Sequence, residues 1–365
     1  MSVVSRVKAR KRDNDALAEI VTPSGFTLEA EIAVQHGALS GIAVSPDGSR
    51  LMVTHYGDHS FSVIDTVSGT VAQTVVDIDE PFAIAMAEAS ANRVYVSAVA
   101  AAYDSVLAFD LDASRVVEVY PVAHSVTDLA VSPDGRHVYV SRAAVTGADV
   151  AVLDTETGKD IAIDIGAKAG SITECVRVSP DGSRLYVGAN RPFSAEFVVI
   201  DPHAGRVLNT VEIGSPIRDI ALSPDGARAY VGSCSPDFGA VLDVVNTRTN
   251  RIANTYKVGE ICGLLTQLTL SRNGERAYLV GDAGVAVLST ATHDVIGSIT
   301  LGAQPSCVIE SPDGNRLYVG DYAGTVTTLA IAPTTASADG SPQEAPTVPH
   351  PWALSEVLGL EPVMA

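Results

Sequence analysis

Long apolar runs are missing from this chain of 365 residues. No segment provides the roughly 20 consecutive apolar residues that a membrane-spanning helix needs. The basic start, residues 1–12, is followed by Asp13, Asn14 and Asp15 and not by the apolar segment of a secretory signal. We therefore expect a cytoplasmic protein with no transmembrane segment.

Cysteine is scarce too. The four residues Cys175, Cys234, Cys262 and Cys307 lie far apart, and no C-x-x-C pair occurs. This excludes the disulfide framework of a small secreted domain and the common zinc and haem motifs, so buried, reduced thiols are expected. A glycine-rich phosphate loop and a G-x-S-x-G nucleophile motif are also missing. The sequence therefore predicts no cofactor and no standard catalytic nucleophile.

Positive charge is in deficit. The chain has 24 Lys and Arg residues against 43 Asp and Glu residues, which gives a formal net charge of −19. Residues 1–25 form a basic arm that we expect to be flexible, so the rest of the chain is still more acidic. Because such a field repels a phosphate backbone, nucleic acid is not expected as a partner.

Repetition is the dominant feature that is present. The sequence Ser-Pro-Asp-Gly (SPDG) occurs five times and a sixth copy reads Ser-Arg-Asn-Gly; these turns begin at Ser45, Ser132, Ser179, Ser223, Ser271 and Ser311. A short β-rich run, usually with Tyr-Val, follows each turn, and a seventh such run, Val94-Tyr95-Val96, follows a degenerate turn near residue 88. The units recur every 40 to 48 residues, a period typical of four-stranded propeller blades.

Each unit divides into four strands. An apolar run precedes the turn, the Tyr-Val strand follows it, and a third strand leads through a tight glycine turn into a fourth. The seventh unit lacks a fourth strand, whereas a spare strand, Phe26–Val34, precedes the first unit. We therefore predict an all-β fold: a seven-bladed β-propeller of four-stranded blades over residues 26–331, with the ring closed by the N-terminal strand in the last blade.

The segment Leu51–Thr66, LMVTHYGDHSFSVIDT, closely resembles the YVTN β-propeller repeat, with His55 where that pattern has Asn. The resemblance covers residues 26–331 and includes the YncE-type and surface-layer-type propellers of bacteria. WD40 repeats fit poorly, because no Trp-Asp dipeptide occurs. The resemblance implies the propeller fold. Such propellers include scaffolds, binding proteins and enzymes, so function must be argued from a site.

The first group of candidate site residues lies on the face opposite the SPDG turns. We call this the loop face, since it carries the loops between second and third strands and those between blades; the other is the turn face. His36, His55, His59 and His124 fall on the loop face, and the first three are expected to converge beside Asp58. Such a group could bind a metal, with His36, His55 and His59 as ligands, or move a proton. The alternative is that they are polar loop residues that form hydrogen bonds with the backbone.

The second group lines the central channel. The first strands of the blades should place Asp128, Glu174, Arg218, Asp219 and Gln267 near the axis. A charge in a narrow channel requires a partner, water or a ligand. These groups could therefore bind a ligand, or Arg218 could form a structural ion pair with Glu174 or Asp219.

The C-terminal residues 332–365 break the repeat. A linker rich in Pro, Ser, Thr and Ala leads to a short apolar segment with Trp352, Leu354, Val357 and Leu358. This segment could bind the propeller or a partner protein, or it could be a disordered end.

Together these features favour a monomeric, non-catalytic interaction or ligand-binding propeller, which presents variable loops on one face to a protein or a small molecule. One alternative is a propeller enzyme of the lactonase, lyase or metal-dependent hydrolase type, using the loop-face histidines or the channel carboxylates. A further alternative is an envelope-associated protein of the surface-layer type.

Overall fold

The computed structural model describes residues 20–332, except 88, 90, 91, 123, 124, 145, 146, 167, 168, 193, 236–238 and 262 and the side chain of Ala144. These residues form β-strands and one single-turn 3-10 helix, Tyr56–Asp58. No helix among them is long and apolar enough to cross a membrane. His124, Cys262, residues 1–19 of the predicted arm and the predicted C-terminal binding segment lie outside the described residues.

The strands form seven four-stranded antiparallel sheets, the blades. Blade 1 contains β2 (Gly41–Val44), β3 (Arg50–His55), β4 (Ser60–Asp65) and β5 (Thr70–Val75). Blade 2 contains β6 (Ile84–Met86), β7 (Arg93–Ala98), β8 (Asp104–Asp110) and β9 (Arg115–Val122). Blade 3 contains β10 (Val126–Val131), β11 (His137–Ala144), β12 (Gly147–Asp154) and β13 (Asp160–Asp164).

The other four blades repeat this order. Blade 4 contains β14 (Ile172–Val178), β15 (Leu185–Arg191), β16 (Ser194–Asp201) and β17 (Arg206–Ile213). Blade 5 contains β18 (Ile217–Leu222), β19 (Arg228–Ser235), β20 (Gly239–Asn246) and β21 (Arg251–Val258). Blade 6 contains β22 (Leu265–Leu270), β23 (Arg276–Gly281), β24 (Gly284–Ser289) and β25 (Val295–Ile299). Blade 7 contains β26 (Pro305–Glu310), β27 (Arg316–Asp321), β28 (Thr325–Ile331) and β1 (Phe26–Ala33). The predicted all-β, seven-bladed propeller is confirmed.

The apolar cores lie between adjacent blades. The second and third strands are covered on both faces by neighbouring blades and are almost fully buried, whereas an outer strand such as β17 alternates between exposed and covered positions. The tyrosine of the Tyr-Val run is buried in each blade that has one: Tyr95, Tyr139, Tyr186, Tyr230, Tyr278 and Tyr318. One core joins Ile32 and Cys307 of blade 7 to Leu51 of blade 1, so the packing is continuous around the ring.

The SPDG turns are held by side chains. In the first turn Ser45 Oγ donates to Asp47 Oδ1 at 2.5 Å and accepts the Arg50 N–H at 2.9 Å, while Asp47 Oδ1 accepts the Ser49 N–H at 3.0 Å. These hydrogen bonds, above all that from Ser45, lower the pKa of Asp47 to about 2. In the Ser-Arg-Asn-Gly copy the amide oxygen of Asn273 has the same role, and the turn is kept.

Adjacent turns also pack against each other. A Cβ atom on Gly182 would lie 3.3 Å from Pro133, and one on Gly226 would lie 3.2 Å from Pro180 of the preceding blade's turn. Both glycines have positive φ angles, of 71° and 67°. Glycine is therefore required there both for the turn conformation and for the contact between blades.

The N-terminal strand closes the ring. β1 pairs antiparallel with β28, with Phe26 opposite Ile331, and forms the outer strand of blade 7. This confirms the predicted closure. Ahead of β1, Val21 exchanges backbone hydrogen bonds of 3.0 and 2.9 Å with Thr300 beside blade 6. Residues 20–25, which the sequence placed in the arm, therefore contact the propeller.

Candidate functional site

The channel is lined by the first strands of the seven blades. Each runs from the loop face to the turn face, because it follows the fourth strand of the blade before and ends at a Ser-Pro-Asp-Gly-type turn. A cavity of about 720 Å³ occupies the loop-face half of the channel and one of about 460 Å³ the turn-face half. Arg177 lines both and marks their junction.

Bulges occur in five of the first strands that line the cavity in the loop-face half of the channel, which we call the loop-side cavity. The register of five first strands against their second strands shifts at a single residue: Thr127, Glu174, Arg218, Thr266 and Ser306. A β-bulge re-aims side chains and is common beside functional sites. Arg218 and Asp219, neighbours in sequence at one of these bulges, both line the cavity.

Arg177 holds two of the predicted residues together. Its Nη1 donates to Asp128 and its Nη2 to Asp219, each at 2.5 Å, and its Nε donates to the Ile220 carbonyl oxygen at 2.9 Å. Burial lowers the pKa of Arg177, but the charges of Asp219 and Asp128 more than offset this and raise it above its ordinary value. The three side chains form an ionic cluster in which each charge has a partner.

Three of the predicted channel residues also join neighbouring blades. Asp128 accepts the Val176 N–H at 3.0 Å, Asp219 accepts the Leu268 N–H at 2.9 Å, and Gln267 accepts the Val308 N–H at 2.6 Å. In each pair the acceptor lies on one blade and the donor on the first strand of the next. These residues therefore have a structural role in holding adjacent first strands together.

Glu174 and Arg218 are bound much less tightly. Glu174 Oε1 accepts a hydrogen bond from Asn190 at 3.0 Å and lies 3.8 Å from Arg218 Nη1. Both side chains are about one-third exposed, and both line the cavity. Of the two partners predicted for Arg218, Glu174 is the one that lies beside it, whereas Asp219 pairs with Arg177.

The other side of the cavity is apolar. Blades 1 and 2 contribute Ile42, Phe82 and Ile84, and blade 7 contributes Ile309. Phe82 is 46% exposed and packs edge-to-face against Tyr56, with ring centroids 6.3 Å apart. Since blades 1 and 2 lie across the ring from blades 4 and 5, the cavity has one charged wall and one apolar wall.

The histidine cluster is only partly formed. His36 Nδ1 lies 3.6 Å from Asp58, and the rings of His36 and His55 are 5.6 Å apart. His55 is buried, and its Nε2 lies 3.0 Å from Ser62 Oγ. Burial, together with the neighbouring His36, lowers the pKa of His55 to about 4. His59 Nδ1 instead accepts the Glu80 N–H at 3.2 Å, in the segment that leads to blade 2.

The expected convergence of His36, His55 and His59 is therefore not observed. Within the described residues, no group of three or more His, Cys, Asp or Glu side chains has a geometry that could hold a metal ion. The bond from Glu80 fixes the His59 ring against the backbone, which is the role of a polar loop histidine.

Comparison with known proteins places the chain in a family. Over 367 aligned residues it is 47% identical to the seven-bladed beta-propeller protein Rv1057 of Mycobacterium tuberculosis (strain ATCC 25618 / H37Rv), with 92% of this chain and 93% of that protein covered. The chain belongs to this family of seven-bladed β-propeller proteins. No family model matches it.

A solved structure has the same architecture. The hydrazine synthase of Kuenenia stuttgartiensis aligns with a TM-score of 0.73 at 20% sequence identity, covering 82% of this chain and 97% of that one. At this level of identity the likeness concerns the fold alone. The site of this propeller must therefore be argued from its own residues.

Sequence reasoning missed Arg177. It identified the channel residues four and five positions before each turn, whereas Arg177 lies two positions before Ser179 and reaches back along the strand. A signal was present: the equivalent positions hold Ala43, Met86, Ala130, Ala221, Thr269 and Ile309. A charged residue at a position that is uncharged in the other six blades indicates a contact that those blades lack.

Proposed function

We propose that the protein is a non-catalytic binding propeller that takes a small polar molecule into the loop-side cavity of its channel. The state of Arg218 carries this proposal. Among the described residues its guanidinium makes no hydrogen bond, and its Nε is buried without a partner. Leaving such a donor unsatisfied is costly, and a ligand that accepts from Arg218 would remove the cost.

Arg177 provides the internal comparison. It lies in the same wall, but its guanidinium donates to two carboxylates and to backbone carbonyl oxygens. Arg177 is therefore satisfied by the protein itself, whereas Arg218 has a single ion pair too long for a hydrogen bond. Of the two, Arg218 is the one suited to a ligand.

The setting of Arg218 supports the same proposal. The cavity of about 720 Å³ lies within the range of about 300–1,000 Å³ typical of small-molecule sites, and it combines an apolar wall with a charged one. It occupies the loop-face half of the channel, and the loops there differ from blade to blade while the turns are nearly uniform.

We also propose that the protein belongs to the YVTN-repeat propellers, is cytoplasmic and acts as a monomer. The segment Leu51–Thr66 supports the first statement. Cys175, Cys234 and Cys307 support the second, because they are buried free thiols, as in a reducing compartment. The third is supported by the closed ring, in which β1 completes blade 7 without a second chain.

The proposal is tested by ligand capture. The purified full-length protein is incubated with the small-molecule extract of its native cells, freed of unbound compounds, denatured, and analysed by mass spectrometry. Wild type and Tyr103→Ala should retain the same compound, since Tyr103 is an exposed loop-face residue that does not line the cavity. Arg218→Gln should retain much less. No retained compound, or equal retention by Arg218→Gln, would contradict the proposal.

A further inference from the structure

We infer that the ligand of the channel is a zwitterion: a small molecule that carries a carboxylate and a protonated amine on the same carbon atom, as α-amino acids do, with an apolar remainder. The inference rests on the proposed function and specifies its ligand. Glu174 and Arg218, open to the cavity and 3.8 Å apart, carry the two charges that such a molecule requires.

The charge of the cavity favours a ligand with no net charge. Among the described residues, the charged side chains that line it are three carboxylates and two guanidiniums: Asp128, Glu174, Asp219, Arg177 and Arg218. The wall therefore carries a formal charge of −1, inside a chain whose net charge is −19. A multivalent anion such as a phosphate ester would be repelled by this field, whereas a zwitterion meets no net repulsion.

The spacing of the pair fits both ligand charges. At 3.8 Å, Glu174 and Arg218 attract each other without a direct hydrogen bond. A carboxylate bound to the planar fork of Arg218 and an amine bound to Glu174 would complete a cycle of four alternating charges. The ligand carboxylate would then give the Nη groups of Arg218 the hydrogen-bond acceptor that they lack among the described residues.

The rest of the cavity indicates the rest of the ligand. Two of the hydroxyl groups that line the cavity already donate to the protein: Thr127 Oγ1 to the Ser141 carbonyl oxygen at 3.1 Å, and Ser40 Oγ to the Pro81 carbonyl oxygen at 3.1 Å. Across the ring lie Ile42, Phe82 and Ile84. A polyhydroxylated molecule would find few partners there, whereas an apolar side chain would be buried.

Calorimetric titration of the full-length protein tests the inference. The probes are L-leucine and L-phenylalanine, together with analogues that lack one charge: 4-methylpentanoate, 3-methylbutylamine, 3-phenylpropanoate and 2-phenylethylamine. At least one amino acid should bind, and both of its analogues should bind about tenfold or more weakly, since each loses a charged hydrogen bond.

Three variants locate the binding. Arg218→Gln and Glu174→Gln should each weaken amino-acid binding about ten- to hundredfold. Glu174→Gln keeps an acceptor oxygen for Asn190, so the fold is preserved. Arg50→Gln is the matched control, because Arg50 is equally exposed and ion-paired but lies on the turn face, 3.2 Å from Asp112. It should bind like wild type.

Failure of this inference can be told apart from failure of the proposed function. If neither amino acid binds, and the compound captured from cells lacks a carboxylate or an amine, the zwitterion is excluded while the channel site stands. If the carboxylate analogue binds as tightly as its amino acid, Glu174 has no part in recognition and the inference is again wrong. If no compound is captured, both proposals fail.

Discussion

His55 is a fully buried histidine beneath the loop face, and its charge state follows from that burial. Its Nε2 lies 3.0 Å from Ser62 Oγ, and it has the ring of His36 beside it. Burial disfavours the imidazolium, and a second histidine nearby adds to the effect. At neutral pH, His55 is therefore a neutral core residue.

We predict that acid destabilises the protein through His55. Its pKa falls from 6.5 to about 4 on folding, so the unfolded state binds the proton first as pH decreases. The contribution is complete above pH 6.5 and is lost as pH falls toward 4. Between pH 7.5 and 4.5 the free energy of unfolding should drop by about 2 to 3 kcal/mol on this account.

The measurement is denaturant unfolding of wild type and His55→Gln at both pH values. Other groups, such as Asp47 with its lowered pKa, contribute to both proteins and cancel in the comparison. The drop in His55→Gln should be smaller than that in wild type by the stated amount. Equal drops would show that His55 titrates normally in the folded state.

Individual residues also differ in how well the sequence predicts their role. In the Ser-Arg-Asn-Gly copy, the amide oxygen of Asn273 accepts the hydrogen bond that an aspartate accepts in the other turns. This copy could be recognised in the sequence from its spacing. Arg177 was not, because its partners lie on neighbouring first strands and sequence spacing does not show how far a long side chain reaches along a strand. The position of His59 could not be predicted for the same reason, because its ring accepts a hydrogen bond from the Glu80 N–H, which sequence spacing does not show.

At the scale of elements, β1 has two buried side chains that face different neighbours. Phe26 packs edge-to-face on Tyr278 of blade 6, with centroids 6.3 Å apart and the Arg276 guanidinium above its ring. Ile32 belongs to the core shared with blade 1. The strand therefore ties blade 7 to both of its neighbours, in addition to its backbone pairing with β28.

We predict that removing these two contacts weakens the ring strongly. The double variant Phe26→Ala/Ile32→Ala should lower the free energy of unfolding by about 5 to 8 kcal/mol, as expected when two large buried side chains at separate sites are truncated. Urea unfolding followed by circular dichroism measures it. Glu31→Ala, an exposed position in the same strand, is the control and should change stability by about 0.5 kcal/mol or less.

A loss below about 1 kcal/mol in the double variant would mean that β1 does not close the ring in solution.

The pairing of β1 with β28 could be predicted from the sequence, because a spare strand at the start and a missing one at the end have only each other as partners. The bulges of the first strands were not foreseeable. They depend on the register between strands, which hydrophobic pattern alone does not fix at polar positions such as Glu174 and Arg218.

At the scale of the whole molecule, the turn face repeats from blade to blade, whereas the channel lining does not. The turn face is nearly uniform, since a serine hydroxyl donates to the aspartate or asparagine side chain in the turns of blade 1 and blades 3 to 7. The channel departs from that repetition, with charges on blades 3 to 5 and apolar residues on blades 1, 2 and 7. This asymmetry points to a ligand with distinct polar and apolar ends.

The measurement that tests the central claim most directly is a high-resolution crystal structure of the protein purified from its native cells with no ligand added. The account predicts non-protein electron density in the loop-side cavity, within hydrogen-bond distance of both Arg218 and Glu174. A cavity with ordered water alone, and Arg218 closed directly onto Glu174 at about 2.8 Å, would make the pair a structural salt bridge and contradict the account.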